Sequence, residues 1–311
     1  MTAPSVSGGA VLFALGSAAC WGFGLVAAKA SLDAGLAPTL LALVQLAVSV
    51  AALGIARPVV ARASGGQSER TPIPLAAPLS GILEYAVTGL IFAFGIALTT
   101  AGNAALIGAA EPAVIVVLAI LLLGETAGRR VVVLLTLVTV GLALLIGPDI
   151  ARTGAPNAGD MLVLGSVVTG ALYAILSRRL VLSMEPTRLA FVQQAAGLVV
   201  LAPVSAMTLA FTGGFGTLTL TAFALAALGG LLQNTAAVWL HLEALKWMPA
   251  ASFALYLGLV PVFALGAARV VLGELITAPQ LVGGALVVAA ALIAAKREIA
   301  LRGVKEMETH T

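Results

Sequence analysis

The sequence has few charged residues, one cysteine and two histidines, and each scarcity excludes a class of protein. Only 9% of its 311 residues are Asp, Glu, Lys or Arg, whereas a soluble domain carries about 25%. The single cysteine, Cys20, excludes an internal disulfide and a cysteine metal cluster. With 61% hydrophobic residues and a mean hydropathy of +1.12, the chain is predicted to have lipid as its main solvent.

Motifs for nucleotide chemistry and for hydrolysis are also missing. The sequence has no G-x-x-x-x-G-K-[ST] phosphate loop, and neither H-E-x-x-H nor G-x-S-x-G occurs. The net charge of +3 is small and the basic residues lie at the ends of apolar segments, which argues against nucleic acid as a partner. We therefore expect no catalytic residue, no metal, no nucleotide and no other cofactor.

Ten stretches are long and apolar enough to cross a bilayer, which takes roughly 20 residues. They lie at about 9–30, 38–56, 80–100, 103–123, 131–147, 160–177, 187–210, 221–246, 250–272 and 278–295. The first stretch has no basic residue before it and is too long for a signal-peptide core, so it is predicted to be a retained helix. The prediction is an all-α integral membrane protein with ten transmembrane helices and no soluble domain.

The basic residues predict the orientation of these helices. If the N-terminus is cytoplasmic, thirteen Lys and Arg residues fall inside and only Lys29, Arg152 and Arg269 fall outside. This distribution is a strong positive-inside bias. Both termini are therefore predicted to be cytoplasmic, with residues 296–311 as a cytoplasmic tail.

One helix pattern occurs twice, 149 residues apart. EPAVIVVLAILLLGE runs from Glu111 to Glu125, and VPVFALGAARVVLGE runs from Val260 to Glu274. Further pairs share this offset: Leu15-Gly16-Ser17 with Leu164-Gly165-Ser166, Gln45 with Gln194, and Gly81 with Gly230. Each copy, 9–147 and 160–295, holds five predicted helices. Because five is odd, the second copy enters the membrane from the opposite side, which predicts an inverted-topology repeat with a substrate site near the midplane.

Polar side chains inside the third helix of each copy are candidates for that site. Glu84 and Tyr85 correspond at the same offset to Gln233 and Asn234. On helical spacing Thr88 shares a face with Glu84. We interpret the two pairs as facing walls of one substrate cavity that binds an ammonium or carboxylate group. Hydrogen bonding between helices is the alternative interpretation, since amide side chains commonly bond across membrane helices.

Other polar and aromatic side chains are weaker candidates for the same cavity. Planar substrates stack well on aromatic rings, although ordinary packing is the alternative role for each ring. A histidine within a span either titrates near neutral pH or bonds structurally. The candidates of this kind are Trp21, Gln45, Gln193, Gln194, Trp239, His241 and Tyr256.

Four residues are candidates for gating or coupling. Glu111 is either a proton-binding or substrate-binding acid, or a carboxylate that stabilises the start of its helix. Pro112 and Pro261 are predicted to kink their helices, as hinges or as fixed bends. Lys29 either extends its ammonium group to the outer surface or pairs with an acid across the exit path. The acids of the two Gly-Glu pairs are expected to be structural caps or gate contacts.

These residues resemble the drug/metabolite transporter superfamily, in its ten-helix EamA-type branch. The resemblance rests on Trp21-Gly22 with Lys29, on Glu111-Pro112 with Gly124-Glu125, and on Pro261 with Gly273-Glu274 and Gln280. It implies a secondary transporter in the bacterial inner membrane that exports amino acids, with aromatic ones favoured, by alternating access. Export of other metabolites or drugs, and an intramembrane lipid-modifying enzyme, are the alternatives. A monomer and a homo-oligomer both stay open.

The chain departs from the pattern at one position of the repeat. The second copy has Val260 where the first has Glu111. This departure argues against a role for a paired acid at that site.

Overall fold

Helices account for all the regular elements in the part of the chain that the structure, a computed structural model, describes. Those residues are 8–63, 72–111, 114, 117–118, 121, 133, 136–137, 139–141, 144, 155–177, 180, 184–212, 214, 219–247, 256, 258–286 and 288–289. A helix satisfies every interior backbone group within its own segment, which an apolar chain in lipid requires.

The first copy begins with two long helices, α1 (Gly8–Asp33) and α2 (Pro38–Ala63). Its third helix has three parts in continuous succession: α3 (Ala76–Gly81), a first π segment (Ile82–Thr88) and α4 (Gly89–Leu98). The short helix α5 (Ala101–Gly108) follows, and its cap is the hydroxyl oxygen of Thr100, which accepts from the Asn103 N–H.

The second copy repeats this order. Its first two helices are α6 (Ala158–Ser177) and α7 (Pro186–Thr212). The third helix again has three parts: α8 (Leu220–Gly230), a second π segment (Leu231–Ala237) and α9 (Val238–Trp247). The helix α10 (Val260–Val271) follows, and residues 278–286 form a further helical stretch.

Five of the described helices are long and apolar enough to cross a membrane: Val11–Asp33, Pro38–Val59, Ala76–Leu98, Thr187–Thr208 and Leu220–His241. Two shorter apolar helices cover Ala158–Tyr173 and Val260–Val271. These seven coincide with predicted spans. The number of ten spans and the cytoplasmic position of both termini stay predictions, and the tail 296–311 lies outside the described residues.

The two copies interlock instead of lying side by side. α1 packs against the third helix of the second copy and against α10, whereas α6 packs against the first π segment and α4. α2 and α7 pack against each other, and each also crosses the third helix of the opposite copy. The buried apolar core, which includes Leu25, Leu46, Ile96, Val163 and Leu201, therefore lies where the copies meet.

Two glycines permit the closest of these crossings. A Cβ atom on Gly81 would lie 2.2 Å from the Gln193 carbonyl oxygen, and one on Gly230 would lie 2.5 Å from the Gln45 carbonyl oxygen. Gly81 and Gly230 were paired by the repeat offset, and the structure gives both the same task. Each brings the third helix of one copy into backbone contact with the second helix of the other.

Pro261 begins a helix, so the expectation that it kinks a helix interior is wrong. α10 begins at Val260 after a turn at 258–259, and Pro261 lies in its first turn, where a backbone N–H has no partner within the helix. The same helix ends at Val271, and Gly273 just beyond it has a positive φ of 70°. Pro112 and Gly124-Glu125 lie outside the described residues.

Candidate functional site

The π segments lie at equivalent positions in the two copies and contain the predicted polar pairs. Ile82–Thr88 holds Glu84 and Tyr85, and Leu231–Ala237, exactly one repeat offset later, holds Gln233 and Asn234. In a π-helix the N–H of residue i+5 donates to the carbonyl of residue i, as Gly89 does to Glu84. Such widened turns are frequent at functional sites, and here both copies have one at the predicted cavity.

Side chains from neighbouring helices satisfy carbonyl groups of the π segments. The Ser17 hydroxyl donates to the Ala237 carbonyl at 2.9 Å, and Gln194 Nε2 donates to the Asn234 carbonyl at 2.9 Å. In the first segment, Thr88 Oγ1 donates to the Leu83 carbonyl at 3.0 Å. Since lipid supplies no donors, these bonds stabilise a backbone shape that an isolated apolar helix would not keep.

Two carboxyl groups converge on Gly170 of α6. A Cβ atom at Gly170 would lie 3.7 Å from Glu111 Oε1 and 3.8 Å from Glu84 Oε2. It would also lie 3.9 Å from the Thr88 methyl carbon, so Thr88 does share the side of Glu84 although the turn is π-helical. The structure thus brings together Glu84, predicted for substrate, and Glu111, predicted for gating or coupling.

Aromatic and amide groups adjoin the two acids. The rings of Tyr85 and Tyr173 meet edge to face with centroids 6.4 Å apart, and the Tyr173 hydroxyl donates to Gln193 Oε1 at 3.0 Å. Gln193 Nε2 in turn donates to the Ser80 hydroxyl at 3.0 Å. Gln194 lies next to Gln193 on α7 and is fully buried. We call Glu84, Glu111, Tyr85, Tyr173 and Gln194 the acidic half of the polar core.

Two acceptor atoms in the acidic half have no donor. Glu84 Oε2 and Gln194 Oε1 are buried, and neither has a hydrogen-bond partner among the described residues. A buried acceptor without a donor is unfavourable, by about 1–3 kcal/mol for a neutral group and more for a charged one. The acidic half therefore has an excess of acceptors that an N–H-rich ligand would complement.

The region around the second π segment has neutral polar side chains. Gln45 Nε2 lies 3.5 Å from Gln233 Oε1, and the Thr235 hydroxyl donates to the Ser49 hydroxyl at 2.8 Å. Gly24 makes room for Gln233, because a Cβ there would lie 2.3 Å from Gln233 Cγ. We call Gln45, Gln233, Asn234, Thr235 and Ser49 the amide half; it meets the acidic half at the Gln194–Asn234 hydrogen bond.

The remaining aromatic candidates and the histidine lie on α1, on α9 and in the stretch before α10. Trp239 on α9 is 41% exposed and meets Phe13 edge to face at 6.2 Å, which places it on the outer surface of the described bundle. His241 is half-buried beyond the second π segment, and Tyr256 is half-buried before α10. Trp21 is half-buried beside Gly22, whose missing Cβ lets α1 approach Ala264 of α10.

Several polar residues of the core were not predicted from the sequence. Tyr173 and Thr169 lie on α6, and the Thr169 hydroxyl oxygen lies 2.8 Å from that of Thr88. Ser49 and Thr235 join α2 to the second π segment. The available signal was their helical spacing: Thr169 and Tyr173 are four residues apart in an otherwise apolar helix.

A second polar cluster joins the copies at the end predicted to face outward. Buried Asp160 accepts from Thr99 Oγ1 and, at 3.3 Å, from Asn103 Nδ2, and Asn103 Oδ1 accepts from Gln280 Nε2 at 2.7 Å. The Glu274 carboxylate accepts from the first backbone N–H groups of α5, at 2.8 and 3.0 Å. Glu274 therefore caps a helix, which was one of its two expected roles.

Lys29 pairs within its own helix. Its ammonium group lies 3.0 Å from Asp33 Oδ1, one turn further along α1, and the Asp33 side chain is half exposed. This contact differs from the expected pair across an exit path. No group of three or more His, Cys, Asp or Glu side chains in the described ranges is placed to hold a metal ion.

Comparison with known proteins identifies the family. A model of the EamA-like transporter family matches residues 8–147 and 157–295, one match for each copy. The chain belongs to the EamA-like transporter family. It is therefore a multi-pass membrane protein that transports small molecules, as the resemblance implied. Nothing in the comparisons singles out an aromatic amino acid exporter, so that assignment stays a prediction.

One solved structure supports the fold of this EamA-like transporter. A crystal structure described only as that of a protein has a TM-score of 0.63 to the chain and 20% sequence identity. The match covers 94% of this chain and 98% of the other. No curated protein matches the chain.

Proposed function

We propose that the protein is a secondary transporter that exports small amphipathic metabolites, most favourably amino acids and among them aromatic ones. The membrane is the bacterial inner membrane, and the transport cycle is alternating access about the polar core. Family membership supports transport of small molecules. The substrate class and the cycle are inferred from the residues of the core.

The observation that carries this proposal is the pair of π segments at equivalent positions. Each widened turn interrupts an apolar helix in the interior of the bundle and presents polar side chains there, Glu84 with Tyr85 in one copy and Gln233 with Asn234 in the other. In transporters built from inverted repeats, substrate sites lie at the repeat interface near the midplane, where irregular backbone lines a cavity. Gln194 lies on α7, which packs against the first π segment, and its side chain donates to the Asn234 carbonyl of the second π segment.

The side chains of the core favour a substrate with a cationic group at one end. The other end of such a substrate is neutral and polar, or anionic. The acidic half offers carboxyl and amide acceptors, whereas the amide half adds the N–H donors of Gln45. The edge-to-face rings of Tyr85 and Tyr173 form an aromatic wall next to the acids. An aromatic amino acid has an ammonium group, a carboxylate and a ring, and so matches all three features.

Counterflow tests the proposal directly. Purified full-length protein is reconstituted into liposomes loaded with unlabelled amino acid, and entry of the labelled amino acid is followed for a panel that begins with phenylalanine, tyrosine and tryptophan. We expect saturable, transient accumulation above the level in protein-free liposomes. Equal counterflow by a panel of drugs, with none by amino acids, would favour the alternative of drug export.

An intramembrane lipid-modifying enzyme is the other alternative. Membership of a transporter family favours transport, and no described contact favours lipid chemistry. Release of a labelled head group from lipid by the same liposomes would reverse this preference.

A further inference from the structure

The strongest unassigned feature of the molecule is the meeting of Glu84 and Glu111 at Gly170. The two carboxyl groups come from different helices of the first copy and approach the same point on α6 of the second copy. Neither acid has a counterpart in the other half of the repeat, where Gln233 and Val260 stand instead. The symmetry of the repeat therefore does not explain why the two acids meet. A function confined to the first copy would explain it.

Among the described residues, the pair is surrounded by acceptors and aromatic rings instead of a compensating cation. The titratable neighbours are Tyr85 on the same π segment and Tyr173 on α6, with the Gln194 amide from α7. Arg188 is the buried basic residue of α7. It adjoins Leu189, which packs against Ala77 at the start of α3, so the length of α3 separates it from Glu84.

The buried acceptor atoms without donors indicate the chemistry of a ligand that would bind beside them. Glu84 Oε2 and Gln194 Oε1 are both buried acceptors without a donor among the described residues. An anionic ligand would add further acceptors. A primary ammonium group adds three N–H donors and a positive charge, and aromatic faces nearby commonly accompany such cations.

We propose that Glu84 and Glu111 form a binding site for the ammonium group of the substrate, and that a proton occupies the pair when the site is empty. Two adjacent carboxylates in a lipid-buried cluster strongly disfavour a double negative charge, so a single proton is retained until a cation replaces it. The inference rests on the proposed transport function, since it names the group by which the substrate is recognised.

Gly170 is part of this site because it leaves the space between the acids open. The distances of 3.7–3.9 Å from its ideal Cβ to Glu111, Glu84 and Thr88 are ordinary van der Waals contacts. A methyl group would therefore fit without displacing the helices, but it would occupy the point on which both carboxyl groups converge. Gly165 on the same helix is the matched control, since among the described residues its Cβ would meet Ile91 alone, at 3.8 Å.

Binding to the purified full-length protein in detergent tests the site separately from transport. The probes are 2-phenylethylamine, which has the ammonium group alone, and 3-phenylpropanoate, which has the carboxylate alone. Calorimetry in two buffers of different ionisation enthalpy gives the affinity and the number of protons released. We expect the amine to bind, the carboxylate to bind at least about tenfold more weakly, and about one proton to leave per amine bound.

The variants locate the site. Glu84→Gln, Glu111→Gln and Gly170→Ala are each expected to weaken amine binding about tenfold or more and, for the two acids, to abolish proton release. Glu185→Gln makes the same chemical change at the start of α7, where the carboxylate accepts from the Thr187 and Arg188 N–H groups, and it should bind like the wild type. Gly165→Ala should do the same.

Three results would overturn the proposal: no amine binding by the wild-type protein, equal affinity for amine and carboxylate, or unchanged amine binding in Glu84→Gln and Gly170→Ala. Amine binding without proton release would contradict the shared proton and would still support the ammonium site. Failure of the transport function is distinguishable, because wild-type liposomes would then show no counterflow while the amine still bound in detergent.

Discussion

The acidic half and the amide half of the polar core share one backbone and differ in chemistry. Both have a seven-residue π segment at the same place in the repeat, and the glycine directly before each segment allows a close crossing with the second helix of the other copy. Only the acidic half has ionisable side chains, Glu84 and Glu111, and only it has buried acceptors without donors in the described chain. The comparison indicates that the scaffold follows the repeat, whereas the two acids are confined to one copy.

The largest expected effect tests the shared scaffold. Replacing Gly81 or Gly230 with alanine places a Cβ 2.2 or 2.5 Å from a backbone oxygen that cannot move aside as a side chain could. Each substitution should lower the free energy of unfolding by about 1–3 kcal/mol or more. Thermal unfolding in detergent measures this loss.

A matched control is Gly266→Ala, because no atom of the described residues lies within 4 Å of its ideal Cβ. Removal of a helical glycine there should leave the Tm unchanged or raise it slightly. If Gly81→Ala has the same Tm as Gly266→Ala, the copies do not cross as closely as the structure indicates. If only one of the variants Gly81→Ala and Gly230→Ala lowers the Tm, the two crossings do not contribute equally to stability.

The second effect separates the two halves by charge. Loss of a hydrogen bond to a charged group is worth about 1.5–3 kcal/mol, and loss of a neutral one about 0.5–1.5 kcal/mol. Counterflow by Glu84→Gln should therefore fall roughly 10- to 100-fold, and counterflow by Asn234→Ala roughly 2- to 10-fold. Glu185→Gln, outside the core, should transport like the wild type. A larger defect in Asn234→Ala than in Glu84→Gln would reverse the assignment of the halves.

The smallest effect compares two serines that the repeat pairs. The Ser17 hydroxyl donates to the Ala237 carbonyl at the end of the second π segment, whereas the Ser166 hydroxyl donates to Val163 on its own helix. Ser17→Ala should lower stability by about 0.6 kcal/mol, and at most about 1.7 kcal/mol, as for other hydrogen bonds between membrane helices. Ser166→Ala should have almost no effect on the Tm, and equal losses would contradict a role for Ser17 in holding the π segment.

The repeat could be predicted because identical residues recur at a constant offset of 149. The same offset then aligned the two polar pairs. Gln45 with Gln194 and Gly81 with Gly230 were matched in this way, and all four lie where the copies cross. The Gly-Glu sequence likewise predicted the end of α10, because only glycine readily adopts the positive φ at residue 273.

Other features depend on contacts between copies that sequence spacing does not reveal. The sequences of the π segments do not indicate a π-helix, and two carbonyl groups of the second segment are satisfied by Ser17 and Gln194 from other helices. In an almost uniformly apolar helix, no periodicity shows which side faces lipid, so Trp239 was a candidate although it lies at the surface. The meeting of Glu84 with Glu111 depends on a glycine of the other copy, and neither acid predicts it alone.

Counterflow by two glycine variants of α6 tests most directly whether the polar core is the transport site. Gly170→Ala adds a methyl group between Glu84 and Glu111, and Gly165→Ala adds the same group beside Ile91. With equal amounts of folded protein in liposomes, labelled phenylalanine should show at least about tenfold slower counterflow in Gly170→Ala and wild-type counterflow in Gly165→Ala. Equal, wild-type rates in both variants would contradict the placement of the substrate at this core.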